Sequence, residues 1–367
     1  MFIVSCSLAG AAEPLRFYVG TYTSQDGSRG IYTGQFDADS GRLTEATLAA
    51  EYNSPAFLAV HPSKPVLFAI NEAHNGNLMV YQYNKESGQL TLLDEKPVPG
   101  HAPCHLAFLP SENGASGVVV IANYTSGSVV SFPISEEGKI GNVVSNMTHT
   151  GSGPNTSRQR APHAHGVYFD GDTMVAVPDL GIDQVVYYKM DAATAELSPL
   201  VEANLRLAPG AGPRHLALSK ESRFVYVVNE LDSTVSVFDK QSAEPAKPVQ
   251  TVSTLTEGKD AAALRNTTAE IELHSSGKFL YASNRGDDSI AVFAVNSEGR
   301  LSLLQNAPTG GKTPRFFCLD PTGRFLLACN QDTGTICVLA VDQETGRLTM
   351  TEHSINVSRP VCLVFVR

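Results

Sequence analysis

Short apolar runs recur along the chain, and each is entered through a turn residue that is usually followed by proline. The seven entry points are Ser54-Pro55, Ala102-Pro103, Ala161-Pro162, Gly212-Pro213, Thr267-Thr268, Thr313-Pro314 and Arg359-Pro360. Successive second positions are separated by 48, 59, 51, 55, 46 and 46 residues. A period of this length marks a repeat architecture and takes precedence over any local reading.

The clearest copy runs from Gly212 to Lys240. RHLALS is apolar with a polar turn behind it, FVYVVN is rich in β-branched and aromatic residues, and TVSVFD alternates with period two. These patterns predict three short strands separated by turns. A fourth strand is predicted in GRLTEATL after Gly41, GQLTLLDE after Gly88 and GRLSLLQN after Gly299. Four antiparallel strands make one propeller blade, and the chain is read as an all-β, seven-bladed β-propeller. A lone blade leaves both faces apolar and needs neighbours to cover them. The 42% hydrophobic composition supplies the necessary side chains, each contributing ~1.5–3 kcal/mol when buried.

The two chain ends complement each other. RPVCLVFVR supplies an anchor and one innermost strand and then stops, whereas RFYVGTYT near the N-terminus matches the second strand of other repeats. The last blade is therefore expected to be shared, with the ring closed by pairing of the N- and C-terminal strands. Closure removes the exposed sheet edges that invite aggregation. Residues 16–367 are read as a single propeller domain, and residues 1–15 as an apolar segment ending in small residues, a possible signal remnant. It has no basic n-region and is too short to span a membrane, so a cytoplasmic location is expected, with periplasmic or secreted as the alternative.

Composition narrows the partners. The formal charge of −10 is evidence against nucleic acid, and no membrane partner is expected. Tryptophan is absent, so the Trp-Asp signature of protein-interaction propellers is missing. The six cysteines lie mostly in apolar segments, without metal-type spacing, and are read as buried free thiols. A closed ring needs no second copy, so a monomer is expected. GSGPNTSRQRAP, residues 151–162, reads as a polar loop.

Candidate chemistry follows from the strand directions. Antiparallel pairing places the end of each second strand beside the start of the first, at one mouth of the axial channel. The repeats agree in their apolar positions and diverge there. Second-strand ends supply Thr21, Glu72, Tyr124, Asp179, Glu230, Arg285 and Gln331, and first-strand starts supply His105, His165, Arg214, His215, Glu270 and Arg315. Arginines suit phosphate or carboxylate recognition, histidines move protons near neutral pH, and carboxylates are available as bases. Each residue also has a structural explanation: a satisfied core histidine, a turn-capping Glu230 or blade-to-blade ion pairs. Convergence on one mouth favours chemistry.

GAGPRHLAL, FVYVVNELDSTVSVF and TAEIELHSSGKFLYASNRGDDSIAVF, together with HAHGV, VPDLGIDQV and YVGTYTS, resemble the bacterial 6-phosphogluconolactonase family of seven-bladed propellers. The resemblance covers about residues 16–367. The family is related to the 3-carboxy-cis,cis-muconate cyclases. The resemblance implies a catalytic group of His165 (with His163 as an alternative), Arg214, Glu230 and Arg285. Arg315, His105, His215, Glu270, Glu72 and Asp179 are expected to bind substrate. On this reading Arg285 and Arg315 hold the acidic group of a small anionic lactone. His165 or Glu230 activates water, and Arg214 stabilises the oxyanion, with no cofactor or metal required. The alternatives are a muconate-type cyclase or isomerase and a non-catalytic ligand-binding propeller.

Overall fold

A computed structural model of the chain describes residues 13–111, 114 and 116–366. Most of the apolar opening segment, including Cys6, lies outside the described residues. Seven antiparallel sheets follow one another in sequence order around a ring. Blade 1 is formed by Phe57–Val60, Val66–Ile70, Asn77–Tyr83 and Leu90–Pro97. Blades 2 to 6 begin at Pro103, Tyr168, Pro213, Thr267 and Pro314. Blade 7 combines the C-terminal strand Pro360–Val366 with Leu15–Thr21, Gly30–Asp37 and an outer position divided between Arg42–Leu43 and Thr47–Glu51. The outer position of blade 3 is also divided, where Pro199, which has no N–H to donate, ends its strand. The only helix among the described residues is a single 3-10 turn, Val201–Ala203.

The ring closes as the chain ends predict. Arg16 pairs with Val366, Tyr18 with Val364 and Thr21 with Pro360 in one antiparallel ladder. Seven apolar clusters fill the seams between neighbouring blades. At one seam Phe68, Ile70 and Val80 of blade 1 meet Leu106, Val119 and Phe132 of blade 2. At the closing seam Phe17, Val19 and Leu363 meet Leu327, Ile336 and Val338 of blade 6. The core is thus seven interfaces arranged around an axis, each unavailable to an isolated blade.

The turn-proline entry has a specific geometry. Ser54, Ala102, Gly212, Thr313 and Arg359 all have φ between 47° and 65°, a left-handed conformation that turns the chain abruptly into the inner strand. Their carbonyls then accept the backbone N–H of Glu72, Tyr124, Glu230, Gln331 and Tyr22, respectively, at 2.7–3.1 Å. Immediately afterwards the inner ladder skips a residue. Pro213 pairs with Asn229 and His215 with Val228, leaving Arg214 unpaired. Cys104, Arg315 and Val361 are skipped in the same way. Such bulges re-aim a side chain out of the regular alternation, here towards the axis.

Leu363 is buried in the closing seam. Leu363→Ala is expected to destabilise the protein by about 2–5 kcal/mol, through lost contacts and the cavity left behind. Urea unfolding should show a lower midpoint than wild type, with the fold retained in the absence of denaturant.

Candidate active site

The bulges and strand ends create a polar pocket of about 320 Å³ at the anchor mouth. Tyr22, Glu72, Tyr124, Glu230 and Arg285 enter it from second-strand ends, His165 and Arg315 from first-strand starts, and Arg158 from the loop between blades 2 and 3. Below it lies a cavity of about 10 Å³, bordered by Cys104, Arg214, His215 and Glu270 and sharing Tyr22, Glu72 and Arg315 with the pocket above. A larger cavity of about 660 Å³ opens at the opposite ends of the inner strands, beside Val60, Leu319 and Val366, but its lining contains neither arginine nor carboxylate. That lining does hold His61, Lys64 and Lys85, but the mouth pocket is where arginines, carboxylates and a histidine converge.

Glu230 is its electrostatic centre. The carboxylate is almost completely buried and meets three guanidiniums: Arg158 Nη2 at 2.5 Å, Arg285 Nη2 at 3.0 Å and Arg214 Nε at 3.2 Å. The Arg214 approach is a charge contact without hydrogen-bond alignment. Burial alone would raise the Glu230 pKa, but Arg285, Arg214 and Arg158 outweigh it and hold the group at about 2. The arginines are also tied to backbone. Arg214 Nη1 donates to the Ala269 carbonyl at 2.6 Å, and Arg285 Nη2 to that of Thr268 at 2.8 Å. Both carbonyls lie in the irregular start of blade 5, where the inner ladder jumps from Thr268 to Ile271.

His165 lines the pocket from blade 3, its backbone N–H held by the Pro178 carbonyl at 2.9 Å. Burial, with Arg214, His215 and Arg315 nearby, pushes its pKa well below the ordinary 6.5, so the ring is neutral at neutral pH. Its Nδ1 lies 3.9 Å from the Cys104 sulfur. Burial also drives the Cys104 pKa far above the ordinary thiol range, making it unsuited to nucleophilic attack. On the far side of the pocket, Arg315 lies 3.5 Å from Glu72 and over the Tyr22 ring, and the Tyr22 hydroxyl donates to Glu72 at 2.5 Å.

Several expected contacts lie elsewhere. His105 is buried beneath the pocket, packed between Phe57 and Tyr168, with its Nδ1 accepting the Val167 N–H at 3.2 Å. His215 and Glu270 form a buried pair at 3.0 Å beside the deeper cavity, where burial raises the Glu270 pKa to about 8 against the influence of Arg214. Asp179 is completely buried and committed to structure. It accepts the His163 and Gly181 N–H groups at 2.7 and 2.9 Å and meets His149 at 2.6 Å. The reason is register: Asp179 and Thr21 occupy the place of Asn123, Asn229, Asn284 and Asn330, whose side chains turn into the sheet. The mouth position belongs to the next residue, Leu180 in blade 3 and Tyr22 in blade 7. Gln331 has the mouth register but bonds to its neighbour Asp332. The depressed pKa of Glu230 makes it a weak proton acceptor at neutral pH.

Tyr22 and Arg158 escaped the sequence reading. A strict count from the anchor pairing would have recovered Tyr22. Arg158 had one signal, the 59-residue step, the longest of the set, which places extra chain at the mouth. Among the described residues no cluster of three or more His, Cys, Asp or Glu could hold a metal ion, and no helix is long and apolar enough to cross a membrane.

A closed seven-bladed ring with an arginine-rich mouth and a neutral histidine defines the class, a propeller equipped for reaction at an anion-binding pocket. The chain belongs to the family "Lactonase, 7-bladed beta-propeller", which it matches over residues 16–365, and it is an enzyme that hydrolyses lactones. It is similar to the 6-phosphogluconolactonase of Bacillus subtilis, with 37% identity over 354 residues covering 95% of this chain and 97% of that protein. The 6-phosphogluconolactonase of Formosa agariphila is 32% identical, covering 90% and 94%. The solved structure of the periplasmic gluconolactonase of Pseudomonas aeruginosa superposes with a TM-score of 0.86 at 29% identity, covering 96% and 99%.

Glu230→Gln should leave the arginines without their buried counter-ion and destabilise the protein by about 3–5 kcal/mol at neutral pH. Because the folded-state pKa of Glu230 is depressed, its contribution is complete above the ordinary 4.5 and is lost as pH falls through about 2. Denaturant titrations at several acidic pH values should show a shallower loss of stability in the variant than in wild type.

Proposed function

We propose that the substrate is 6-phosphogluconolactone, hydrolysed at the mouth pocket to 6-phosphogluconate. The observation that carries this reading is the charge balance. Four guanidiniums, Arg158, Arg214, Arg285 and Arg315, surround the pocket and the cavity beneath it. Opposing them are the carboxylates of Glu230 and Glu72, while Glu270, at about 8, is mostly protonated at neutral pH. The surplus of two positive charges matches a phosphate monoester, which carries about −1.5 to −2 at pH 7. The names of the Bacillus and Formosa relatives agree with this substrate. A charged phosphosugar is retained inside cells, so a cytoplasmic location accompanies the reading, and the closed ring, which needs no second copy, accompanies it with a monomer.

Neutral His165 takes a proton from water, whose oxygen attacks the lactone carbonyl. Arg214 stabilises the resulting oxyanion on this reading. Collapse breaks the bond between the carbonyl carbon and the ring oxygen, which takes the proton back from His165. The product is the open-chain acid. Glu230 holds the guanidiniums in place and transfers no proton.

The direct assay is acid release from freshly prepared 6-phosphogluconolactone and from glucono-δ-lactone, each corrected for spontaneous hydrolysis. A clear preference for the phosphorylated substrate is expected. Preference for glucono-δ-lactone would overturn the phosphosugar reading and favour an unphosphorylated substrate, like that named for the Pseudomonas structure.

His165→Ala should lower kcat by about 10²- to 10⁴-fold, the usual contribution of a general base. Because the base must be unprotonated and its pKa is depressed, wild-type kcat/KM should be level around neutrality and fall only at pH values well below 6.5. A midpoint at or above neutrality in the corrected pH profile would exclude His165 as the base.

A further inference from the structure

Arg158 differs from the other pocket cations in its depth, mounting and unused donors. Its side chain is 36% exposed, against 3% for Arg214, 15% for Arg285 and 17% for Arg315. It therefore stands at the rim, and the others lie deeper. Only its Nη2 is engaged, by Glu230 Oε1 at 2.5 Å and the Tyr124 hydroxyl at 3.2 Å, leaving Nε and Nη1 without a hydrogen bond to any described residue. The deeper guanidiniums are already committed, Arg214 and Arg285 to Glu230 and to backbone carbonyls, and Arg315 to Glu72 and the Tyr22 ring.

The rim loop is built to hold this arginine still. The next residue, Gln159, is completely buried. Its amide nitrogen donates to the Leu180 carbonyl at 2.8 Å and to Asp183 Oδ1 at 2.7 Å, and its amide oxygen accepts the Asn155 N–H at 3.1 Å. Asp183 in turn accepts the Gly210 and Gly212 N–H groups at 2.7 and 2.8 Å, joining the loop to the entry of blade 4.

We propose that Arg158 is the specificity-determining residue of this lactonase: it grips the phosphate of the substrate at the pocket rim, and Gln159 positions it. The inference rests on the phosphorylated-lactone reading above and deepens it. In the six-membered lactone the carbonyl carbon and C5, which bears the phosphorylated C6, flank the ring oxygen, so the phosphate hangs on a short exocyclic arm beside the scissile bond. With the carbonyl at His165, that arm meets the wall of the same pocket, where the deeper arginines are committed and Arg158 at the rim offers two guanidinium nitrogens without a hydrogen bond to any described residue. Fork-like pairing of guanidinium and phosphate provides both charge and orientation. Unphosphorylated lactones would make no such contact, so Arg158 separates the two substrate classes.

The experiment compares kcat and KM for 6-phosphogluconolactone and glucono-δ-lactone in wild type, Arg158→Gln, Arg158→Lys and Gln159→Ala, with thermal melts confirming that each variant is folded. Arg158→Gln should lower the ratio of kcat/KM values, phosphorylated over unphosphorylated, by roughly 10- to 100-fold, the range for loss of a charged hydrogen bond, mainly through KM. Arg158→Lys should recover part of the ratio, and Gln159→Ala should reproduce the direction of the loss. An unchanged ratio in folded Arg158→Gln overturns the inference, whether both substrates are unaffected or both decline together, the latter meaning that Arg158 acts only through Glu230. A wild-type enzyme that shows no preference for the phosphorylated lactone overturns the underlying phosphosugar reading instead, before any variant is compared.

Discussion

The structure depends on one backbone contact repeated around the ring. In most blades the carbonyl of the turn residue before the inner strand accepts the N–H of the residue that leaves the second strand, as Gly212 accepts Glu230 at 2.7 Å. This contact fixes where the second strand ends and forces the left-handed turn into the first. It also accompanies the skipped residue that turns Arg214 and Arg315 inward. A repeated element that stabilises the blades therefore also presents side chains from strand ends and strand starts to the axis. Because the contact uses only main-chain atoms, the side chains at those positions are free to differ, and functional variety is concentrated there.

The second constraint is electrostatic. Four arginines around one pocket would repel one another strongly in a poorly solvated setting. Glu230 relieves that repulsion by touching three of them, and Glu72 neutralises the fourth. For Glu230, removal from proton chemistry is a consequence: a group held at about 2 is a good counter-ion and a poor base. The same positive field, with burial, keeps His165 neutral and ready to accept a proton. A single arrangement thus sets both the positive field of the pocket and the neutral state of its histidine.

Much of this was legible in the chain. The anchor spacing, the period-two strands and the split of the last blade between the two ends follow from local patterning, except that in blade 3 the turn contact falls two residues beyond Ala161-Pro162, with the Leu180 N–H on the His163 carbonyl. The convergence of His165, Arg214, Glu230, Arg285, Arg315 and Glu72 was also readable, since strand direction places strand ends and strand starts at a common mouth. Where the reading failed, it failed by one residue or by one layer. Thr21 and Asp179 were counted as mouth residues because other chemical types stand in the asparagine position, and nothing local marks that substitution. His105, His215 and Glu270 belong to a lower layer, and depth along the axis has no signature in strand alternation.

The sequence by itself determined the number of blades, the order of strands and the identity of the charged groups near the axis, because these rest on local periodicity and chain direction. Only the tertiary structure decided what those groups do. The pairing of Glu230 with Arg285 of the next blade and Arg158 of an inter-blade loop, beside Arg214 of its own blade, the neutral state of His165 and the rim position of Arg158 arise largely between segments far apart in the chain. Charge, burial and distance in such a pocket are properties of the closed ring, and no single repeat contains them.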